Sequence, residues 1–263
     1  MPSGVASLAV HDTGTGPAVL FLHAFPLDGS QWDHQVAALS GDYRCLRPDI
    51  WGCGASPAPP DGATTLDDFA QAVITDLDER GVDRFSVVGL SMGGYVAFAL
   101  WRLAAARISS LTLSNTRADA DADETRAGRL EVAERALRDG NVAFLVEANV
   151  DRLLGPKARL EVHITDPLRG RIKRCTPAGI AFAQRAMADR PDSAPLLQGI
   201  AVPTLVVTGR DDAVIPEAQM QRIADGIPGA LRIDLDCGHL SNLEQPHEFT
   251  RALADFLTPL PHS

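Results

Sequence analysis

The stretch Phe85-Ser-Val-Val-Gly-Leu-Ser-Met-Gly-Gly94 decides how this chain is read. It opens as a β-branched apolar strand, turns through G-x-S-x-G, and continues into apolar helical sequence from Tyr95 to Leu103. A serine hydroxyl is a weak nucleophile and needs both a base and preformed donors for an oxyanion. A tight strand-to-helix turn lifts its oxygen above the sheet edge and aims a helix N-terminus at developing negative charge. Gly89 and Gly93 omit side chains where such a turn crowds its neighbours. With 22 glycines in the chain the bare pattern also arises by chance, so the strand before it and the helix after it carry the weight. Ser91 is the candidate nucleophile.

Outward from this turn, apolar runs alternate with amphipathic helical patterns, the signature of a mostly parallel sheet covered on both faces. Expected strands are Val5–Val10, Ala18–His23, Tyr43–Arg47, Phe85–Leu90, Ile108–Leu113, Thr204–Thr208 and Leu231–Leu235. Leu66, Phe69, Ala70, Val73, Ile74 and Leu77 form one apolar stripe, which predicts a helix from Leu66 to Arg80. Thr64 and Thr65 precede it and Gly81 ends it. A last helix starts at Pro246, with Phe249, Leu253, Phe256 and Leu257 facing inward. Between Asn115 and Gly199 the rhythm breaks: helices are expected over Asp123–Leu137, Val142–Leu153 and Gly179–Ala188, with no strand. Residues 1–114 and 200–263 are therefore read as one α/β core and 115–199 as an inserted helical cap, the alternative being ordinary surface helices.

Two further loops supply partners for the serine. Asp236-Cys-Gly-His-Leu-Ser-Asn-Leu-Glu-Gln-Pro246 sets His239 after the last strand and before the last helix, a position suited to a general base. His11, His34, His163, His247 and His262 lie in stretches with no supporting motif. Thr208-Gly-Arg-Asp-Asp-Ala-Val-Ile-Pro216 follows another strand, and Asp212 there can fix the imidazole tautomer and stabilise the imidazolium. Asp211 is the competing carboxylate. The chain order Ser91, Asp212, His239 belongs to one fold among those that carry such triads. Phe21-Leu-His-Ala-Phe-Pro26 ends an early strand, so the main-chain N–H groups of Phe25 and Met92 are the expected oxyanion donors.

Composition narrows the remaining choices. The chain has 263 residues, 45% of them hydrophobic, enough for one substantial core. Its formal net charge of −10 argues against nucleic acid or an anionic membrane as partner. No apolar run approaches the roughly 18 residues of a membrane span, and no cationic leader precedes an apolar segment. Cys45, Cys53, Cys175 and Cys237 are scattered, without a metal-binding spacing, and are read as four free thiols in a reducing cytoplasm. Arg169, Arg171, Lys173, Arg174 and Arg185 make parts of the helical insertion basic and would suit a substrate carboxylate, or merely form a solvated face.

His23-Ala-Phe-Pro26, Asp49-Ile-Trp-Gly-Cys-Gly-Ala-Ser56, Gly89-Leu-Ser-Met-Gly-Gly94, Gly209 to Pro216 and Gly238-His239 with Glu244 and Pro246 together resemble the α/β-hydrolase family across essentially the whole chain. The resemblance implies an eight-stranded, mostly parallel sheet, a cap over the pocket, and no metal or organic cofactor. Cys237 to Pro246 and Leu113-Ser-Asn-Thr-Arg-Ala118 look most like 3-oxoadipate enol-lactonases and related small esterases. Where that family has glycine after the oxyanion-loop histidine, this chain has Ala24. Serine at position 91 sets it apart from haloalkane dehalogenases and epoxide hydrolases of the same fold, which need an aspartate. The expected activity is hydrolysis of a small ester or lactone. A cofactor-free haloperoxidase (perhydrolase), a carbon–carbon bond hydrolase using the same triad, and a non-catalytic ligand receptor are the alternatives, and the sequence is compatible with a homo-oligomer.

Overall fold

The computed structural model describes residues 7–258. Seven strands form one sheet: β1 (Val10–Thr13), β2 (Ala18–Leu22), β3 (Arg44–Pro48), β4 (Phe85–Leu90), β5 (Ile108–Ser114), β6 (Thr204–Gly209) and β7 (Leu231–Leu235). Their spatial order is β1-β3-β2-β4-β5-β6-β7, with β1 antiparallel to β3 and every other pair parallel. The inner strands are buried along nearly their whole length, as parallel strands covered on both faces must be.

Two expectations change here. The sheet has seven strands among the described residues rather than eight, because only one antiparallel strand precedes the parallel set. That strand begins at Val10, and the start of the expected Val5–Val10 run lies outside the described residues.

Helices α1 (Asp33–Leu39), α2 (Leu66–Glu79) and α3 (Met92–Ala104) follow β2, β3 and β4. Local chemistry fixes the second: the Thr65 hydroxyl accepts from the Asp68 N–H while the Asp68 carboxylate accepts from the Thr65 N–H, a reciprocal cap that satisfies two otherwise orphaned donors. Between β5 and β6 come α4 (Asp123–Asp139), α5 (Ala143–Leu153), α6 (Val162–Lys173) and α7 (Pro177–Ala188), and no strand. In this segment α4 packs along α7, and α5 on α6. The sequence did not disclose α6, since Pro167 sits in its interior and normally breaks a helix. Finally α8 (Glu217–Gly226), the short α9 (Ser241–Glu244) and α10 (Pro246–Leu257) complete the outer layer. Trp32 is buried between Phe21 on β2 and Phe249 on α10, an aromatic stack that fastens this layer to the sheet.

The cysteines also depart from expectation. Cys53, in the loop after β3, and Cys175, between α6 and α7, form a disulfide across 122 residues. Only Cys45 and Cys237 are free, and both are buried. The compositional argument for four thiols in a reducing compartment therefore no longer holds. No helix among the described residues is long and apolar enough to cross a membrane.

The packing makes a paired forecast. A Cβ on Gly128, within α4, meets nothing within 4 Å, so Gly128→Ala gains helix propensity at no steric cost. Thermal denaturation should rise by about 2–4 °C, the response expected for about 1 kcal/mol in a domain of this size. A Cβ on Gly93 would lie 2.0 Å from the Leu22 carbonyl oxygen, so Gly93→Ala should lower stability by about 1–3 kcal/mol in the same assay.

Candidate active site

The carboxyl ends of the parallel strands assemble the site. The sheet changes direction of growth between β2 and β4, where crevices form in open α/β sheets. Leu22 pairs in register with Gly89, so the loop through His23–Phe25 and the turn at Ser91 emerge side by side. Ser91 has φ 56 and ψ −113, a strained conformation for a residue with a Cβ. Neighbouring groups hold it there: its N–H donates to Ser114 O at 3.0 Å, and its carbonyl accepts from the Thr116 hydroxyl at 2.8 Å. Met92 opens α3, so its N–H has no helical acceptor.

Asp212 and His239 arrive from the ends of β6 and β7. The His239 Nδ1 lies 2.8 Å from Asp212 Oδ2, with both side chains almost wholly buried. An ionised carboxylate only accepts, so Nδ1 carries the proton and Nε2 presents a lone pair. That Nε2 is buried and has no hydrogen-bond partner. The other Asp212 oxygen accepts from the N–H groups of Val214 at 2.7 Å and Ile215 at 2.9 Å. Burial by itself would push the Asp212 carboxyl up, but the charge and hydrogen bond of His239, the Ile215 N–H and the Asn115 amide hold it below the usual carboxylate range. Asp211 is exposed, and its side chain lies away from this cluster.

A cavity of about 540 Å³ opens over these groups, lined by Phe25, Ser91 and His239 among others. Ser91, His239 and Phe25 therefore share one space, with Asp212 directly behind the imidazole. Ser91 and His239 are not hydrogen-bonded to each other; in unliganded sites such contacts are often long and close only with substrate present.

Several residues that hold the site together were assigned no role from the sequence. Asn115, at φ 45, donates its amide to Asp212 Oδ2 at 2.9 Å. Its side-chain carbonyl in turn accepts from the Ser114 hydroxyl at 2.9 Å. An asparagine at a strand end tolerates positive φ, which is the one local signal it offers. Glu244 is half-buried and accepts from the N–H groups of Gly155 (2.9 Å), Gly238 (2.9 Å) and Leu240 (3.2 Å). Burial raises its carboxyl above the usual range, and those three donors offset only part of the rise. His23 is structural: its Nε2 accepts from the Ile50 N–H at 3.0 Å, and its Nδ1 reaches the Ala24 carbonyl at 3.0 Å. Ala24 is fully buried, and its N–H donates to the Gln31 side chain at 2.8 Å, so the added methyl packs inward.

The basic residues that would suit a substrate carboxylate or merely form a solvated face turn away from the serine. Arg169 pairs with Glu147 and Asp166, Arg171 donates to Ser30, and Arg174 pairs with Asp28. None of them, nor Lys173 or Arg185, lines the cavity over Ser91. Arg117, Arg129, Arg135 and Arg152 do.

Comparison with known proteins accords with this architecture. The model of the alpha/beta hydrolase family matches residues 19–252. 3-Oxoadipate enol-lactonase 1 of Acinetobacter baylyi is 30% identical over 255 residues, covering 95% of this chain and 92% of that protein. A thermophilic esterase from Thermogutta terrifontis superposes with a TM-score of 0.92 at 37% identity, covering 97% of this chain and 94% of the other. The enol-lactonase from Burkholderia xenovorans LB400 gives 0.87 at 32% identity, covering 95% and 96%. With its strand order, its turn at Ser91 and a family match over nearly the whole length, this chain belongs to the alpha/beta hydrolase family.

Proposed function

We propose that the protein hydrolyses carboxylic esters or lactones through an acyl-enzyme, with Ser91 as nucleophile, His239 as general base and Asp212 as the residue that orients it. The observation that carries this reading is the state of His239. One nitrogen is held by a buried carboxylate at 2.8 Å, and the other is buried, unpartnered and in the cavity that holds Ser91. An imidazole so oriented, with an open lone pair, is poised to take a hydroxyl proton. The similar proteins named as enol-lactonases and an esterase support the choice of bond.

Ser91 Oγ attacks the carbonyl carbon as its proton moves to His239 Nε2. The carbonyl oxygen becomes an oxyanion and accepts from the main-chain N–H groups of Phe25 and Met92. Collapse of the tetrahedral intermediate breaks the C–O bond, and Nε2 returns the proton to the leaving alkoxide. A water then loses a proton to the same nitrogen and attacks the acyl-enzyme, and the carboxylic acid departs as Ser91 regains its hydrogen. Asp212 stays ionised throughout, compensating the imidazolium. The helices between β5 and β6 act as a cap, since α5 and α7 supply Leu145, Asn149, Gln184 and Met187 to the cavity wall.

Initial rates on p-nitrophenyl acetate test the assignment. Ser91→Ala should lose about four orders of magnitude or more in kcat, and fluorophosphonate labelling should vanish with it. Undiminished turnover would sink the proposal. Asp212→Asn should cost about 10⁴-fold by favouring the wrong tautomer.

The lowered Asp212 carboxyl also sets a pH dependence of folding. It contributes stability above the ordinary carboxylate value of about 4, and that contribution disappears as pH falls through its lower folded value. In urea titrations at pH 6, 4 and 3, wild type should lose stability relative to Asp212→Asn as the pH drops below about 4. A constant difference between the two would contradict the sign.

A further inference from the structure

Two histidines outside the catalytic cluster lie side by side. His34, in the first turn of α1, and His247, in the first turn of α10, have ring centroids 4.9 Å apart with their planes at 82°. His34 is half-buried and His247 exposed, and neither lines the cavity over Ser91.

Hydrogen bonding fixes which His34 nitrogen is free. The Thr250 hydroxyl has one proton, and it goes to the Pro246 carbonyl at 2.6 Å, a group that can only accept. The Gln35 side-chain amide donates to the same hydroxyl oxygen at 3.1 Å. Toward His34 Nδ1, 3.2 Å away, that oxygen is left only to accept. Nδ1 therefore carries the ring proton, and Nε2 presents a lone pair. Among the described residues that Nε2 has no hydrogen-bond partner, and neither His247 nitrogen has a hydrogen bond or an ion pair. An imidazole whose second nitrogen donates to a fixed acceptor is how proteins orient a metal ligand.

The spacing fits as well. Metal–imidazole bonds of about 2.0–2.1 Å put each ring centre about 3.2 Å from the ion, so two rings at square or tetrahedral angles stand about 4.5–5.2 Å apart. The observed 4.9 Å falls inside that window without any movement of the helices. Their relative position is held by other contacts: Trp32 packs on Phe249, and the Asn242 amide donates to the Gln31 carbonyl at 2.9 Å and the Gln35 side chain at 3.1 Å. His247, unpartnered at the surface, is free to turn its lone pair toward His34 Nε2. The net charge of −10 favours a cation.

We propose that His34 and His247 form a two-histidine site for a late first-row divalent cation (zinc, nickel or copper) that clamps α1 to α10. No group of three histidines, cysteines or carboxylates suited to a metal occurs among the described residues, so water completes the coordination shell and binding is reversible.

Calorimetric titration of the full-length protein with zinc chloride and with nickel chloride tests the site. Each ion should bind with micromolar affinity. His247→Ala and His34→Ala should each weaken that binding about tenfold or more. Thr250→Val, which removes the acceptor that holds the His34 tautomer, should weaken it by about tenfold, and Thr250→Ser should restore it. Zinc at about a hundredfold excess over Kd should also raise the thermal midpoint of wild type by about 5–10 °C, and that of His247→Ala far less, because the ion binds tightly only where the two helices are docked. Affinity weaker than about 1 mM, or zinc binding that His247→Ala leaves unchanged, overturns the site.

Discussion

The approach of α3 to β2 is the constraint on which the rest of the molecule depends. At Gly93 the helix backbone comes so near the Leu22 carbonyl that no Cβ can be accommodated. That contact lets the chain turn from β4 into α3 with Ser91 at positive φ. Strain in such a turn persists only where surrounding structure over-determines it. Here the over-determination comes from Ser114, which accepts the Ser91 N–H, and from Thr116, whose hydroxyl donates to the Ser91 carbonyl. β5 thus braces the turn from one side and β2 from the other. The register Leu22 to Gly89 then brings the Phe25 loop beside the turn without any further device.

The helical segment between β5 and β6 is fastened to this frame at two places where backbones touch. At one, Gly52 lies against Gly179 and the Thr176 N–H donates to the Gly52 carbonyl at 2.7 Å, next to the Cys53–Cys175 disulfide. At the other, Gly155 lies against Gly238, with Glu244 bridging the N–H groups of both. Side chains at these glycines would force the layers apart. The second fastening bears on His239 itself, because its N–H donates to the Leu153 carbonyl at 3.2 Å.

What the sequence disclosed and what it concealed divide along physical lines. The bounds of β4 and the starts of α2 and of the last helix were legible because strand periodicity, a capping Thr65 and an initiating Pro246 act over a few residues. The positions of Ser91, Asp212 and His239 at strand ends followed from the same local alternation, and the structure brings the three together. Long-range pairings left no local trace. Asn115 meets Asp212 across 97 residues, and Cys53 meets Cys175 across 122. Arg171 and Arg174 looked like a free basic face because Ser30 and Asp28, their partners, lie more than 140 residues earlier. Helix α6 was hidden by Pro167, where tertiary packing overrides a strong local preference.

One consequence of this layout concerns the end of α5. Arg152 faces the cavity, and Leu153, the next residue, offers the carbonyl that accepts from the His239 and Leu240 N–H groups. Two residues further on, the Gly155 N–H enters the Glu244 bridge. The Arg152 side chain at the cavity and the main chain that anchors the imidazole loop therefore belong to one short piece of backbone. In an acidic protein the cationic cavity also concentrates field lines at this spot, since low-dielectric walls focus what the solvent elsewhere screens. The cavity wall and the loop that carries His239 are thus adjacent along the chain, and a change in the helical segment reaches both at once.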